Sequence, residues 1–236
     1  MAKARKKQEY TTEKVLDSLN ETAYKAENFF EKNSKIIMGI FGVLALIGIG
    51  YFVYLKTVLE PKSEKAFTEM IQADEYMEQD SVLLALKGSP GSFQGYEQII
   101  ENYSGTTGAN IALYKAGIAN YKLGNYAAAV ENLEKFSSDD EVLTAYKNGM
   151  IGNALVDSGK EKEALPYYIK AAEGTDLELV QTMFYTKAGK LAIQLGQNAE
   201  ALKYFQILAD KYPNADGGEV DKFIERLKYA TSGNGK

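Results

Sequence analysis

Residues 110–138 read NIALYKAGIANYKLGNYAAAVENLEKFSS, and what recurs around Gly124 in this stretch decides the fold. Gly159 and Gly196 follow Gly124 at intervals of 35 and 37 residues. Seven places before each of the three lies another glycine (Gly117, Gly152, Gly189), and five places after lies an alanine (Ala129, Ala164, Ala201). Nine places after comes a large apolar or aromatic residue: Leu133, Tyr168 and Phe205. Twelve residues locked in one phase mark an internal repeat of two helices joined by a glycine. The linking glycine takes the left-handed conformation that ends a first helix. Small residues stand where two antiparallel backbones approach, and the large ones fill the space against the next unit. One such pair cannot bury its apolar face alone, so the units stack.

This pattern resembles the tetratricopeptide family, whose repeat runs about 34 residues. The resemblance gives three units, over 110–138, 145–175 and 181–214, the last closing on Tyr212 and Pro213. Leu113, Asn148 and Tyr185 stand where the family carries tryptophan, and Pro166 is expected within the first turn of its helix, where a missing amide is tolerated. By the same resemblance the first helix of each unit lines a concave groove. Its wall is expected to present Ile111, Tyr114, Ile118 and Tyr121, then Tyr146, Asn153, Val156 and Asp157, then Met183, Thr186, Lys190 and Ile193. This is an apolar and aromatic wall, suited to an extended or helical apolar polypeptide segment. Only Asn153 and Lys190 suggest the Lys, Arg and Asn cluster with which some tetratricopeptide domains grip a terminal carboxylate.

Outward from the repeats, Val220, Phe223, Ile224 and Leu227 form one apolar face opposite Glu219, Asp221, Lys222, Glu225 and Arg226, the pattern of a capping helix. Residues 232–236 are expected to be a disordered tail. Upstream, 62–79 reads as a helix, Gly88 to Gly91 as a break, and Phe93, Tyr96, Ile99, Ile100 and Tyr103 as one stripe of a degenerate second helix.

Residues 36–55 read IIMGIFGVLALIGIGYFVYL, uncharged throughout and bounded by Lys35 and Lys56. Twenty helical residues span about 30 Å, the thickness of a bilayer's hydrocarbon core. A secretory signal would begin earlier and end at a small-residue cleavage site, so this run reads as a retained anchor. Residues 1–35 carry eight Lys/Arg against six Asp/Glu, with Lys3, Arg5, Lys6, Lys7 and Lys14 furthest out, which places the N-terminus in the cytoplasm. Gly39, Gly42, Ala45 and Gly48 recur every third residue and offer a candidate face for another membrane helix, beside the plain reading that glycine is common in such spans. Before the span, Thr11 and Thr12 are expected to cap a helix striped by Leu16, Leu19, Ala23, Ala26 and Phe30 and interrupted at Asn33 and Ser34.

Composition narrows the chemistry. The chain has no Cys, no His and no Trp, which removes thiolate nucleophiles, Cys-based zinc sites and histidine triads. Residues 56–236 carry nineteen Lys/Arg against twenty-six Asp/Glu, so the soluble part repels nucleic-acid phosphate. The acidic pairs Asp139/Asp140 and Glu161/Glu163 read as helix-start charges rather than as an acid and base. No cofactor, metal or small-molecule substrate is expected.

The segment Phe29-Phe30-Glu31-Lys32-Asn33-Ser34-Lys35 leads into the span, and a linking helix and degenerate repeats follow. This layout resembles the YfgM-type proteins, ancillary subunits of the bacterial Sec translocon. The resemblance implies an all-α fold with one N-terminal transmembrane helix and a tetratricopeptide-like solenoid, anchored in the inner membrane and periplasmic beyond it. It implies translocon subunits, exported polypeptides and periplasmic chaperones as partners. The expected organisation is a cytoplasmic segment (1–35), the span (36–55), a linking helix and half-repeat (56–109), three repeats (110–216), and a cap with its tail (217–236). A structural assembly factor holding one fixed partner in a cell-envelope complex is the alternative, and an enzyme is the reading the sequence supports least.

Overall fold

A computed structural model describes the backbone of residues 2–213 and 218–233, and their side chains except at 2–23, 26, 28 and 231–233. The chain divides into two units, Met1–Val58 and Leu59–Lys236. Helix α1 (Ala2–Tyr54) makes up nearly all of the first and runs into five π-helical residues, Leu55–Leu59. It contains an eighteen-residue window of mean hydropathy 2.5 with no part buried, long and apolar enough to cross a membrane.

Two expectations for this unit are corrected. The helix begins before Thr11, and it does not break at Asn33 and Ser34. Asn33 Nδ2 donates to the Phe29 carbonyl at 2.8 Å and Ser34 Oγ to that of Glu31 at 3.2 Å, so both polar side chains are satisfied one turn back and the helix continues. The side chains of Thr11, Thr12, Leu16, Leu19, Ala23 and Ala26 lie outside the described set. Gly39, Gly42, Ala45 and Gly48 are all exposed. At about 100° per residue, a step of three turns back about 60°, which sets Gly39 and Gly48 on opposite sides of a regular helix. Only neighbouring members of the series share a face.

The second unit is a stack of helices, with a small insertion. Its members are α2 (Glu60–Glu78), α3 (Val82–Lys87), α4 (Tyr96–Asn102), α5 (Thr107–Lys122), α6 (Tyr126–Lys135), α7 (Glu141–Asp157), α8 (Glu161–Glu173), α9 (Glu178–Gln194), α10 (Asn198–Lys211) and α11 (Glu219–Gly233). Residues 214–217 and 234–236, which hold most of the expected tail, lie outside the described residues. The pairs α5/α6, α7/α8 and α9/α10 are the three repeats. Gly124, Gly159 and Gly196 have φ of 76°, 77° and 73°. At each, two backbone bonds close the helix end, as in Gly124 N–H to Tyr121 O at 3.0 Å and Asn125 N–H to Asn120 O at 2.8 Å.

The small and large positions meet more directly than the sequence suggests. A Cβ on Gly117, Gly152 or Gly189 would lie 2.6 Å from Leu133, Tyr168 or Phe205, so each large residue fills the notch of its own unit's glycine. Two of them also reach the next unit: Tyr168 stacks on Phe184 at 6.4 Å and Phe205 on Phe223 at 4.6 Å. Phe223 belongs to α11, which covers the last repeat with Val220, Ile224 and Leu227 and turns its charged residues outward. Pro166 lies inside α8, beyond its first turn. It is exposed, as is Lys162 one turn earlier, whose carbonyl loses the amide partner.

The segment read as a half-repeat is a fourth unit, interrupted by an insertion. Asp80 has φ of 57° and sits in the same two-bond helix end, with its N–H on Met77 O and that of Ser81 on Tyr76 O. Ala73 and Ala85, seven before and five after it, are both fully buried. Between Lys87 and Gly95 the chain makes a hairpin of strands β1 (Gly88–Ser89) and β2 (Phe93–Gln94), paired Gly88 to Gln94 and Ser89 to Phe93. With those seven residues removed, Tyr96 falls nine places after Asp80, the position of Leu133, Tyr168 and Phe205. Phe93 is therefore a strand residue stacked on Tyr76 at 4.8 Å, not the start of a helical stripe. Gly88 and Gly95 are packed backbone to backbone, where a Cβ on either would overlap the other.

Asp80 occupies a conformation that costs a non-glycine residue about 1 kcal/mol. Its contact with Lys122, at 3.7 Å and well exposed, offsets little of that. Asp80→Gly is expected to stabilise the array by roughly 0.5–1 kcal/mol, a rise of a few degrees in Tm, measured by thermal unfolding of the full chain.

Candidate protein-binding groove

The wall is built from positions fixed relative to the linking residue. Thirteen, six and three places before it stand Ile111, Ile118 and Tyr121 in the first repeat, and Tyr146, Asn153 and Val156 in the second. Met183, Lys190 and Ile193 hold the same places in the third. Every predicted wall residue is half-buried except Asp157 and Lys190, which are exposed, and none is fully buried. Tyr114, Tyr146, Val156, Met183 and Ile193 also pack against the core beneath them. Tyr114 rests on Phe136 at 5.0 Å and Tyr146 edge-on to Phe184 at 6.1 Å. Burial, and then the neighbouring Tyr146 phenol, raise the Tyr114 pKa above its ordinary value.

At the centre the structure brings together residues that sequence reasoning only partly named. Tyr121 OH donates to Asp157 Oδ2 at 2.6 Å, crossing from the first repeat to the second. Asn153 Oδ1 accepts from Tyr168 OH at 2.9 Å and from Lys187 Nζ at 2.7 Å. Lys187 also stands 5.6 Å above the Tyr168 ring. Burial lowers its pKa, and Asp157 partly opposes that shift. Lys190 does not join this group; it lies 5.7 Å above Phe223 of the capping helix. Ile111, Ile118 and Thr186 sit at half-buried wall positions without a polar tie of their own.

The same three-residue arrangement occurs at the start of the stack. Asp74, six before Asp80, accepts from Tyr96 OH at 2.7 Å and from Lys115 Nζ at 2.5 Å. Lys115 and Lys187 each lie nine places before their linking glycine. Aligning Asp80 with the glycines would have set Asp74, Tyr96 and Lys115 at the phases of Asn153, Tyr168 and Lys187, and would also have added Phe67, Asp74 and Met77 to the expected wall. The acidic pairs do what their positions suggested: Asp140 caps α7 by accepting from Leu143 N–H at 2.7 Å, and Glu161 and Glu163 lie in the first turn of α8.

A family model described as tetratricopeptide repeat matches residues 111–140 and 185–215. The chain carries tetratricopeptide repeats. The matched stretches are the first and third repeats, and the second and the interrupted unit share their helix ends and their small-to-large pairing. No curated protein matches the chain. Stacked tetratricopeptide units present an extended concave surface to other polypeptides, so the second unit is a protein-interaction scaffold built almost wholly of helices.

The groove's tyrosines couple stability to alkaline pH. Tyr121 is pushed up to about 12, first by its bond to Asp157, and Tyr168 to about 12, first by burial. Tyr185 and Tyr204 are also raised by burial. A group with a raised folded pKa stabilises fully below its unfolded pKa, near 10 for tyrosine, and loses that contribution as pH climbs through the folded value. The array is expected to unfold cooperatively between about pH 10 and about pH 12. Circular dichroism and phenolate absorbance should report one shared transition, and Tyr121→Phe should reduce its steepness.

Proposed function

We propose that the chain is a membrane-tethered adaptor at the bacterial Sec translocon, holding apolar segments of exported polypeptides or of periplasmic folding factors in its groove. The span at 36–55 anchors it in the inner membrane, with residues 1–35 cytoplasmic and the repeats periplasmic. Ile111, Tyr114, Ile118, Tyr121, Tyr146, Asn153, Val156, Asp157, Met183, Thr186, Lys190 and Ile193 line the binding wall. The carrying observation is the half-exposed aromatic and aliphatic wall on a chain that also has an apolar helix of membrane-spanning length. The groove needs no bond-making chemistry for this task, only shape and apolar area.

Photo-crosslinking residues at Ile118 and Tyr146 of the full chain in cells test this reading, with Glu131 and Lys203 on outer faces as controls. Adducts to translocon subunits or exported chains from the groove positions alone support it. Absence of such adducts, or equal adducts from the controls, removes it. One fixed partner that persists after secretion is halted would instead establish the assembly-factor alternative. Ile118→Asp and Tyr146→Ala should each weaken the captured complex about tenfold or more, as loss of a central anchor does.

A further inference from the structure

The capping helix continues the register of the repeats. Tyr168 stacks on Phe184, and Phe205 stacks on Phe223 in the same way, at interplanar angles of 21° and 4°. Phe223 therefore takes the place on α11 that Phe184 takes on α9, and Ile224 and Leu227 are buried as Tyr185 and Ala188 are. On α9 the wall residues Met183, Thr186 and Lys190 stand one before, two after and six after Phe184. Around Phe223 those places belong to Lys222, Glu225 and Tyr229. All three are exposed, and Tyr229, at 85%, is the most exposed aromatic side chain among the described residues.

The same register sets one pair at each joint of the array. Asp74 accepts from Lys115, and Asn153 Oδ1 accepts from Lys187 at 2.7 Å. Ile118 and Met150 hold the corresponding places at the joint between those two. At the last joint they belong to Lys190 and Arg226. Two cations thus stand where the other polar joints set a cation against its acceptor. Lys190 Nζ lies 5.7 Å above the Phe223 ring, with Lys222 and Arg226 on either side of that ring along α11. None of the three forms an ion pair with a described carboxylate. Glu225 is the one carboxylate at a wall place here, and Glu219 and Asp221 lie at the start of α11, outside the wall places.

We infer that the last joint of the groove is a carboxylate site, seating aspartate and glutamate side chains that adjoin the apolar segment in the groove. Three cations against one acid carry an excess of positive charge, and like charges side by side are relieved by an anion between them. A guanidinium presents paired donors that match a carboxylate. Lys222 and Arg226 are one helical turn apart, about 6 Å along the axis, and Lys190 comes from another helix. Exposed cations spread in this way suit several side-chain carboxylates better than one chain terminus. Tyr229 adds an aromatic face for the apolar part of the same segment. A bound chain then has one direction, apolar over the first two repeats and acidic over the third and its cap, because the exposed Asp157 repels acids from the centre. This deepens the adaptor reading above and rests on its binding wall, not on the translocon.

Fluorescence anisotropy on the full chain in detergent tests the site with labelled peptides that share one leucine and phenylalanine core. One core is followed by aspartates and one by asparagines, both with amidated ends, and a third by asparagines with a free terminal carboxylate. The aspartate peptide should bind about tenfold tighter than the amidated asparagine peptide at low salt, an advantage that shrinks as salt screens it. Lys190→Gln with Arg226→Gln should abolish the advantage and leave the asparagine peptide unchanged, whereas Lys162→Gln with Lys203→Gln on outer faces should alter neither. Equal binding of the two amidated peptides, or an advantage that survives Lys190→Gln with Arg226→Gln, overturns the site. A free terminal carboxylate that matches the aspartates overturns it as well. No binding by any peptide removes the wall reading and the site with it, a result distinct from loss of the aspartate advantage alone. Circular dichroism identifies any variant that fails to fold, and the comparison of peptides on the unsubstituted chain then decides alone.

Discussion

Phe205→Ala is expected to destabilise the second half of the array by about 3–5 kcal/mol, the usual cost of emptying a fully buried aromatic site. Phe205 has no exposed surface, fills the notch left by Gly189, and lies flat on Phe223 with an interplanar angle of 4°. The cavity would therefore sit between the last repeat and its cap. The reverse change at the same contact is also costly. A Cβ on Gly189 would meet three ring atoms at 2.6 to 3.0 Å, and the ring cannot retreat into Phe223. Overpacking of this kind costs about 1–3 kcal/mol, against which Ala recovers up to about 1 kcal/mol of helix propensity. Combining Gly189→Ala with Phe205→Leu should restore part of the loss, giving the non-additivity of residues in contact. Hydrogen exchange adds the spatial prediction. Protection should fall across α9, α10 and α11 and persist in α2 and α5, whose core is separate.

The second large effect concerns the anchor. The wild-type chain should stay in the membrane pellet through an alkaline carbonate wash, whereas Leu44→Arg combined with Ile47→Arg should move it to the supernatant. Both residues lie near the middle of the apolar run and are exposed, so neither substitution disturbs a protein core. An arginine at the centre of a span costs roughly 2.5–3.5 kcal/mol of insertion free energy, and two on one helix leave little driving force. A wild-type chain found wholly in the supernatant would show that the apolar helix is covered by protein, and the tethered-adaptor reading would fall with it.

Much of the fold was legible because its determinants are local and periodic. A left-handed helix end demands glycine at a fixed phase, and two close backbones demand a small residue opposite a large one. Gly124, Gly159 and Gly196 therefore identify three units without any knowledge of their packing. The twenty uncharged residues of the span are equally direct, because length and lack of charge alone set its fitness for lipid. The fourth unit escaped for two local reasons: Asp80 replaces the glycine, and a seven-residue hairpin shifts Tyr96 out of phase. A test for constant spacing fails on both counts although the three-dimensional pattern is intact.

The groove was half legible. The phases of the expected wall residues can be read from the sequence, but their hydrogen-bond partners cannot. Lys187 and Asn153 are 34 residues apart, and Lys115 and Asp74 are 41 apart. They meet only because consecutive units stack, and no periodic signal says that two joints will be tied by such triads while the joint between them is not. The sequence by itself determined the repeat, its helix ends, its glycine notches and the membrane-spanning length of the first helix, since each is set within one two-helix unit or one continuous run. Tertiary structure alone decided which joints are locked, how the groove's charges are paired and where the core divides, because those depend on side chains from different units arriving at one place.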